Sequence, residues 1–161
     1  MDKLTPDTRS RIMGRIRSSN TKPEIAVRKL AHTLGLRFRL HRRDLPGTPD
    51  LVFPRHRLAV FVHGCFWHRH RGCNRASIPS TNTEFWIKKF ERNLERDEAA
   101  FRSLRDLGWA VLVIWECELK RKAVVQEKLT TATRIAATES SCGGAVGAQG
   151  AQQFLECTAK E

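Results

Sequence analysis

The stretch DLPGTPDLVFPRHRLAVFVH, residues 44–63, decides how the chain is read. It opens on a Pro/Gly turn, enters a short apolar strand at Asp50, and resumes after PRH as RLAVFVH, apolar at nearly every position. Such a run cannot leave one face in water, so it belongs inside a sheet covered on both sides. Just upstream, RFRLHRR (37–43) alternates in the manner of a half-exposed strand. These segments read as three consecutive strands of one sheet. Farther on, WAVLVIWEC (109–117) reads as a central strand with Cys117 at its end.

Helical patterns flank the strands. Thr21 or Asn20 can cap a helix over about 22–34, with Pro23 in its first turn and Gly35 past its end; Ile25, Leu30 and Leu34 fall near helical spacing. The segment STNTEFWIKKFERNLERDEAAFRSLRDLG (80–108) gives the clearest helix. Its expected inward stripe is Ile87, Phe90, Leu94, Phe101, Leu104 and Leu107, with a Thr81/Glu84 capping box at its start and Gly108 as its stop. KAVVQEKLTTATRIAAT (122–138) is a last helix. The order helix, three strands, helix, strand, helix predicts an α/β fold with a mixed sheet, and strand ends are where such folds place chemistry. The expected organisation is one domain over 1–138, with a basic arm over about 1–20 and a flexible Gly/Ala/Ser/Gln-rich tail over 139–161.

Charge narrows the function. Residues 1–76 hold 17 Lys and Arg against 5 Asp and Glu, whereas residues 77–161 hold 12 against 12, so the whole net charge of +12 sits in the first half. A basic surface this concentrated is the footprint of a phosphate-backbone binder, because each neutralised phosphate releases counterions. No run of about 18 apolar residues suggests a membrane span, and the N-terminus has no signal-type apolar stretch, so a cytoplasmic protein is expected. Five cysteines, an odd number at irregular spacing, point away from a disulfide framework and toward metal ligation by some of them. Cys142 and Cys157, in the tail, are set apart as incidental.

The segment HGCFWHRHRGC (63–73) concentrates the chemistry. Cys65, Cys73 and Cys117 supply three soft thiolates, and either His68 or His70 would complete the Cys3His set of a closed structural zinc site. The bland alternative is three buried thiols. A closed site has no open position for water, so catalysis would need other groups. Asp50 is a candidate ligand for a hard cation such as Mg2+, against the alternative of an ordinary turn aspartate. His63, near the end of the next strand, is placed to accept a proton at neutral pH, or else is a hydrogen-bonded core histidine. Phe66 and Trp67 in the loop and Trp86 on the helix are candidate DNA wedges, since aromatics beside basic residues unstack base steps; for Trp86 core packing competes.

TRSRIM, TKPE, LPGTPDLVF, VHGCFWHRH, TEFWIKKFERNLERD and LGWAVLVIWEC, in that order over roughly residues 7–120, together resemble the very short patch repair (Vsr) mismatch endonucleases. The resemblance implies a restriction-endonuclease-like fold of the PD-(D/E)XK type with a structural zinc site. It also implies a Mg2+-dependent nick 5' of the thymine in a T:G mismatch, the lesion left by deamination of 5-methylcytosine. Carried over residue by residue, Asp50 becomes the magnesium carboxylate, with Val62 contributing its backbone carbonyl. His63 and His68 stand at the scissile phosphate and Glu24 assists them. Cys65, His70, Cys73 and Cys117 match the zinc ligands. Phe66, Trp67 and Trp86 match aromatics that enter beside the mismatch, with Lys89, Asn93 and Arg96 as further DNA contacts; Met13, in the arm, inserts from the other groove. The implied partner is mismatched double-stranded DNA bound by a monomer, with functional links to a cytosine-5 DNA methyltransferase and to mismatch-repair proteins. Val62 stands where the best-known member has a threonine, and Gly72 lengthens the gap from His70 to Cys73 by one residue relative to it. Two rival readings are a restriction-type or broader-specificity nuclease and a non-catalytic zinc module that binds DNA.

Overall fold

The computed structural model describes Thr8 and residues 19–141. Helix α1 (Lys22–Thr33) leads into strands β1 (Arg39–Leu40), β2 (Leu51–Phe53) and β3 (Leu58–His63), then α2 (Thr83–Asp106), β4 (Ala110–Trp115) and α3 (Lys122–Ser141). The four strands lie in the order β1-β2-β3-β4, antiparallel except for the parallel β3–β4 pair. The sheet is therefore mixed, as the sequence predicts, although the expected 37–43 strand pairs only at Arg39 and Leu40, and β4, expected to be a central strand, stands at the edge of the described sheet beside β3. None of the described helices is long and apolar enough to cross a membrane.

Strand parity builds a three-layer stack, because alternate side chains leave a strand on opposite faces. Leu51, Phe53, Leu58, Val60, Leu112 and Ile114 pack on one face against Val27 and Ala31 of α1 and Val125 and Leu129 of α3. Val52, Ala59, Phe61 and Val111 pack on the other against Leu104 of α2, with Leu45 and Phe101 alongside. The turn preceding Asp50 also presses on α2. A Cβ at Gly47, whose φ is +73°, would come within 2.7 Å of the Ala100 Cβ, so only glycine fits there.

Both site-facing helices depart in part from their sequence-based expectations. In α1 the buried residues are Glu24, Val27 and Ala31; the expected Leu30 and Leu34 pack half-buried against the core, whereas Ile25 is 40% exposed. In α2 the inward stripe is Trp86, Phe90, Asn93, Asp97, Ala100 and Leu104, whereas the expected Ile87, Leu94 and Leu107 are exposed. The Thr81/Glu84 capping box does not form. The helix starts at Thr83 with Asn82 as N-cap in the left-handed region, and Glu84 pairs instead with Lys88 one turn on, 2.6 Å away. A capping box does form on α1, between Thr21 and Glu24. Helix α3 runs to Ser141, three residues past its expected end. The arm up to residue 18, apart from Thr8, and the tail from 142, with Met13, Cys142 and Cys157, lie outside the described residues.

Candidate functional site

Strand register assembles the site. In the parallel pair, His63 lies opposite Trp115, so β3 and β4 end level with each other. Two residues beyond that pair on each strand come Cys65 and Cys117, and the chain segments that leave the sheet there meet. The donor atoms of Cys65, His70, Cys73 and Cys117 all lie within 4.8 Å of one another. His70 Nδ1 sits 3.3 Å from the Cys117 Sγ and 3.6 Å from the Cys65 Sγ. A tetrahedral zinc with ordinary Zn–S and Zn–N bonds has S···N edges of about 3.5 Å, so this donor set fits that ion. Burial pushes the Cys65 thiol well above its usual range, and a soft dication is the partner that would stabilise its thiolate. The His70 ring lies flat on Trp115, with centroids 4.2 Å apart, which fixes its orientation. Of the two histidines that spacing leaves open, it is His70 that joins the thiols; His68 turns elsewhere.

His68 points to α2. Its Nδ1 bonds the Asp97 carboxylate, and its ring stacks on His63 with centroids 3.7 Å apart. His63 Nδ1 lies 4.0 Å from the same carboxylate. Burial, reinforced by the neighbouring His68, lowers His63 to about 3, so this imidazole is neutral at physiological pH. Asp97 accepting from Nδ1–H leaves the Nε2 of His68 with a free lone pair, the tautomer needed to take a proton.

On the other side of β3, Asp50 Oδ2 accepts the Val62 N–H at 2.7 Å, which ties the carboxylate to the backbone one residue before His63. Burial is the main cause that raises the Asp50 carboxyl to about 6; the Glu24 charge adds to it, while the Val62 N–H, His41 and Arg28 oppose it. A half-buried carboxylate whose charge is disfavoured fits a hard cation as its missing partner. Register again explains the neighbours. Leu40 pairs with Leu51, so His41 falls beside Asp50, and Glu24 on α1 closes the group; their ligand atoms lie within 4.8 Å of one another.

The loop also carries the aromatics. Phe66 packs edge-on against Trp67, Trp86 and Phe90, with centroids 5.1, 5.4 and 5.2 Å away. Trp86 is buried at 4% exposure, whereas Phe66 and Trp67 are half-buried. The Lys89 ammonium lies over the Trp67 ring at 5.1 Å. Asn93 holds the loop by donating to the Trp67 carbonyl at 3.1 Å, and Arg96 donates to the Asn93 side chain. The expected DNA contacts Lys89, Asn93 and Arg96 thus share one side of α2 with the loop.

Comparison with known proteins bears on this arrangement directly. The family model described as DNA mismatch endonuclease Vsr matches residues 1–75. The chain is 41% identical over 143 residues to the DNA mismatch endonuclease Vsr of Escherichia coli K12, covering 88% of each protein. It is 49% identical over 128 residues to the Type II nicking enzyme V.XorIIP of Xanthomonas oryzae pv. oryzae, covering 80% of this chain and 93% of that relative. The chain belongs to the Vsr family. In this Vsr-family chain the expected site residues among the described ones gather at one end of the sheet. Three participants were not singled out by sequence reasoning: Asp97, His41 and Arg28. Asp97 had a signal, since it falls on the same helical face as Trp86, Phe90 and Leu104 and so interrupts an apolar stripe with a carboxylate. His41 had none, because only strand register places it beside Asp50.

Proposed function

We propose that this protein is a zinc-braced, Mg2+-dependent endonuclease that nicks duplex DNA 5' of the thymine in T:G mismatches. Family membership supports the DNA-nicking hydrolase activity itself. The observation that carries the finer reading is the Asp50–Val62 hydrogen bond. It places a half-buried carboxylate one residue from His63, so the candidate cation ligand and the stacked His63–His68 pair flank the same strand end. An acidic residue leading into β2, whose antiparallel neighbour β3 in turn pairs parallel with β4, supports assigning the sheet to the restriction-endonuclease-like type.

Asp50 and the Val62 carbonyl would hold a magnesium ion, which would supply charge neutralisation at the scissile phosphate and a more acidic bound water. His68, oriented by Asp97, takes a proton at Nε2 from the attacking water. His63 stays neutral beneath it and fixes its ring, and Glu24 lies beside Asp50 on the opposite face. The zinc ligands hold both ends of the loop, and Phe66 and Trp67 between them probe the base stack. Mispaired steps unstack at lower cost, so the same rigid element that hydrolyses also discriminates. Trp86 supports the pair from below. Mismatched duplex bound by a monomer is the substrate, and the lesion connects the protein functionally with a cytosine-5 methyltransferase and with mismatch-repair proteins. A non-catalytic zinc module would leave Asp50, His63, His68 and Asp97 without a use.

The test is Asp50→Ala. Nicking should disappear while binding to duplex DNA is largely kept, because affinity comes mainly from the basic half. Cleavage by the variant at near wild-type rate would remove Asp50 from the mechanism.

A further inference from the structure

Of the three potential cation ligands Glu24, His41 and Asp50, the first two are already engaged, and by one atom. Arg28 Nη2 lies 2.9 Å from Glu24 Oε2 and 2.9 Å from His41 Nε2. A guanidinium has donors only, so His41 Nε2 must be the acceptor and its proton sits on Nδ1. Glu24 is otherwise saturated: Oε2 also accepts the Asn20 N–H at 2.9 Å, and Oε1 accepts the Thr21 N–H and hydroxyl at 3.3 and 2.8 Å. Two oxygens with four lone pairs thus meet four donors, which leaves no lone pair for an ion. Arg28 is itself fixed, since its Nη1 donates to Asn20 Oδ1 at 2.6 Å and its side chain is 14% exposed. The guanidinium therefore stands where a cation bridging Glu24 and His41 would stand.

We propose that Arg28 is a fixed internal cation that occupies the Glu24 and His41 donors, so that a divalent ion at this end of the site is held through Asp50 and not through Glu24 or His41. The inference rests on the reading of Asp50 as the cation ligand. It makes Arg28 a positioning residue that limits the site to one ion on this side of β3. The guanidinium supplies the second positive charge permanently, without a binding step.

The experiment counts bound Mn2+ by electron paramagnetic resonance on the full chain, purified with its native metal content retained. The wild type should bind one ion, lost in Asp50→Asn. Arg28→Met, which removes the donors and the charge but keeps the stem, should bind two, and Glu24→Gln added to it should restore one. Arg28→Lys, which keeps the charge, should stay at one. Should Arg28→Met not fold, Arg28→Gln takes its place and must show the second ion. A wild-type count of two, or no gain in a folded neutral variant, overturns the role of Arg28 while leaving Asp50 intact. No Asp50-dependent ion in the wild type overturns the reading of Asp50 and this inference with it.

Discussion

Replacing Asp50 by asparagine should make the protein more stable at neutral pH and catalytically dead, and the structure sets the size of the effect. The carboxamide keeps an oxygen to accept the Val62 N–H, so the perturbation is mainly the loss of a buried charge. Burial raises this carboxyl from 3.8 to about 6. The folded protein therefore binds the proton more tightly than the unfolded chain, so the associated stability is fully present below pH 3.8 and is lost as pH rises through about 6. At about 1.4 kcal/mol per tenfold difference in proton affinity, the gap costs on the order of 3 kcal/mol above pH 6, and about 2 after allowing for partial exposure. Asp50→Asn should then melt roughly 4 to 8 °C above wild type at pH 7.5, with the difference falling to about half or less at pH 4.5 and closing only below about pH 3.8. The melts need buffer without added divalent ions and without chelator, so that the zinc proposed for the cysteines would be retained. A variant no more stable at pH 7.5, or a difference independent of pH, would refute the reasoning. The gain would mark Asp50 as a residue kept at a cost in stability for its chemistry.

Cys117→Ser should lose stoichiometric zinc and much of its thermal stability, because a structural zinc contributes folding energy directly; metal analysis showing no zinc in the wild-type protein would sink this. Trp67→Ala should weaken binding to a T:G duplex by roughly 1 to 3 kcal/mol, with a smaller change on matched duplex. Its half-buried ring predicts a modest stability loss, below the roughly 3 to 5 kcal/mol expected for truncating a core tryptophan such as Trp86. A large loss in melting temperature with unchanged discrimination would place Trp67 in the core.

The succession of strands and helices among the described residues and the gathering of cysteines and histidines were legible because each depends on local pattern: an all-apolar run for β3, a capping residue with Pro23 for α1, a glycine stop for α2; that β4 would stand at the sheet edge was not. Nor were the buried faces of the helices. Ile87 and Leu94 widen the apolar arc beside the buried Phe90 and Leu104, and hydrophobicity alone gives no reason to leave them outside. What turns α2 is polar: Asn93 must reach the Trp67 carbonyl and Asp97 must reach His68. Likewise Glu24, rather than Ile25, faces inward on α1, because Asn20, Thr21 and Arg28 satisfy its carboxylate there. Sequence reading by apolar periodicity fails at the two helical faces that serve the site, where function places a charge in the buried stripe. The pairing of His41 with Asp50 and the choice of His70 over His68 as partner of the thiols depend on contacts between segments far apart in the chain, which no local pattern encodes.

The central claim is that one loop both senses a mismatch and directs a single cut, and strand-labelled duplexes test it most directly. Purified protein with Mg2+ should give one product from a T:G duplex, cut 5' of the thymine on that strand alone, and should leave the T:A duplex of the same sequence essentially uncut. Cutting of both strands of matched DNA, or binding without any cut on the T:G duplex, would contradict the account.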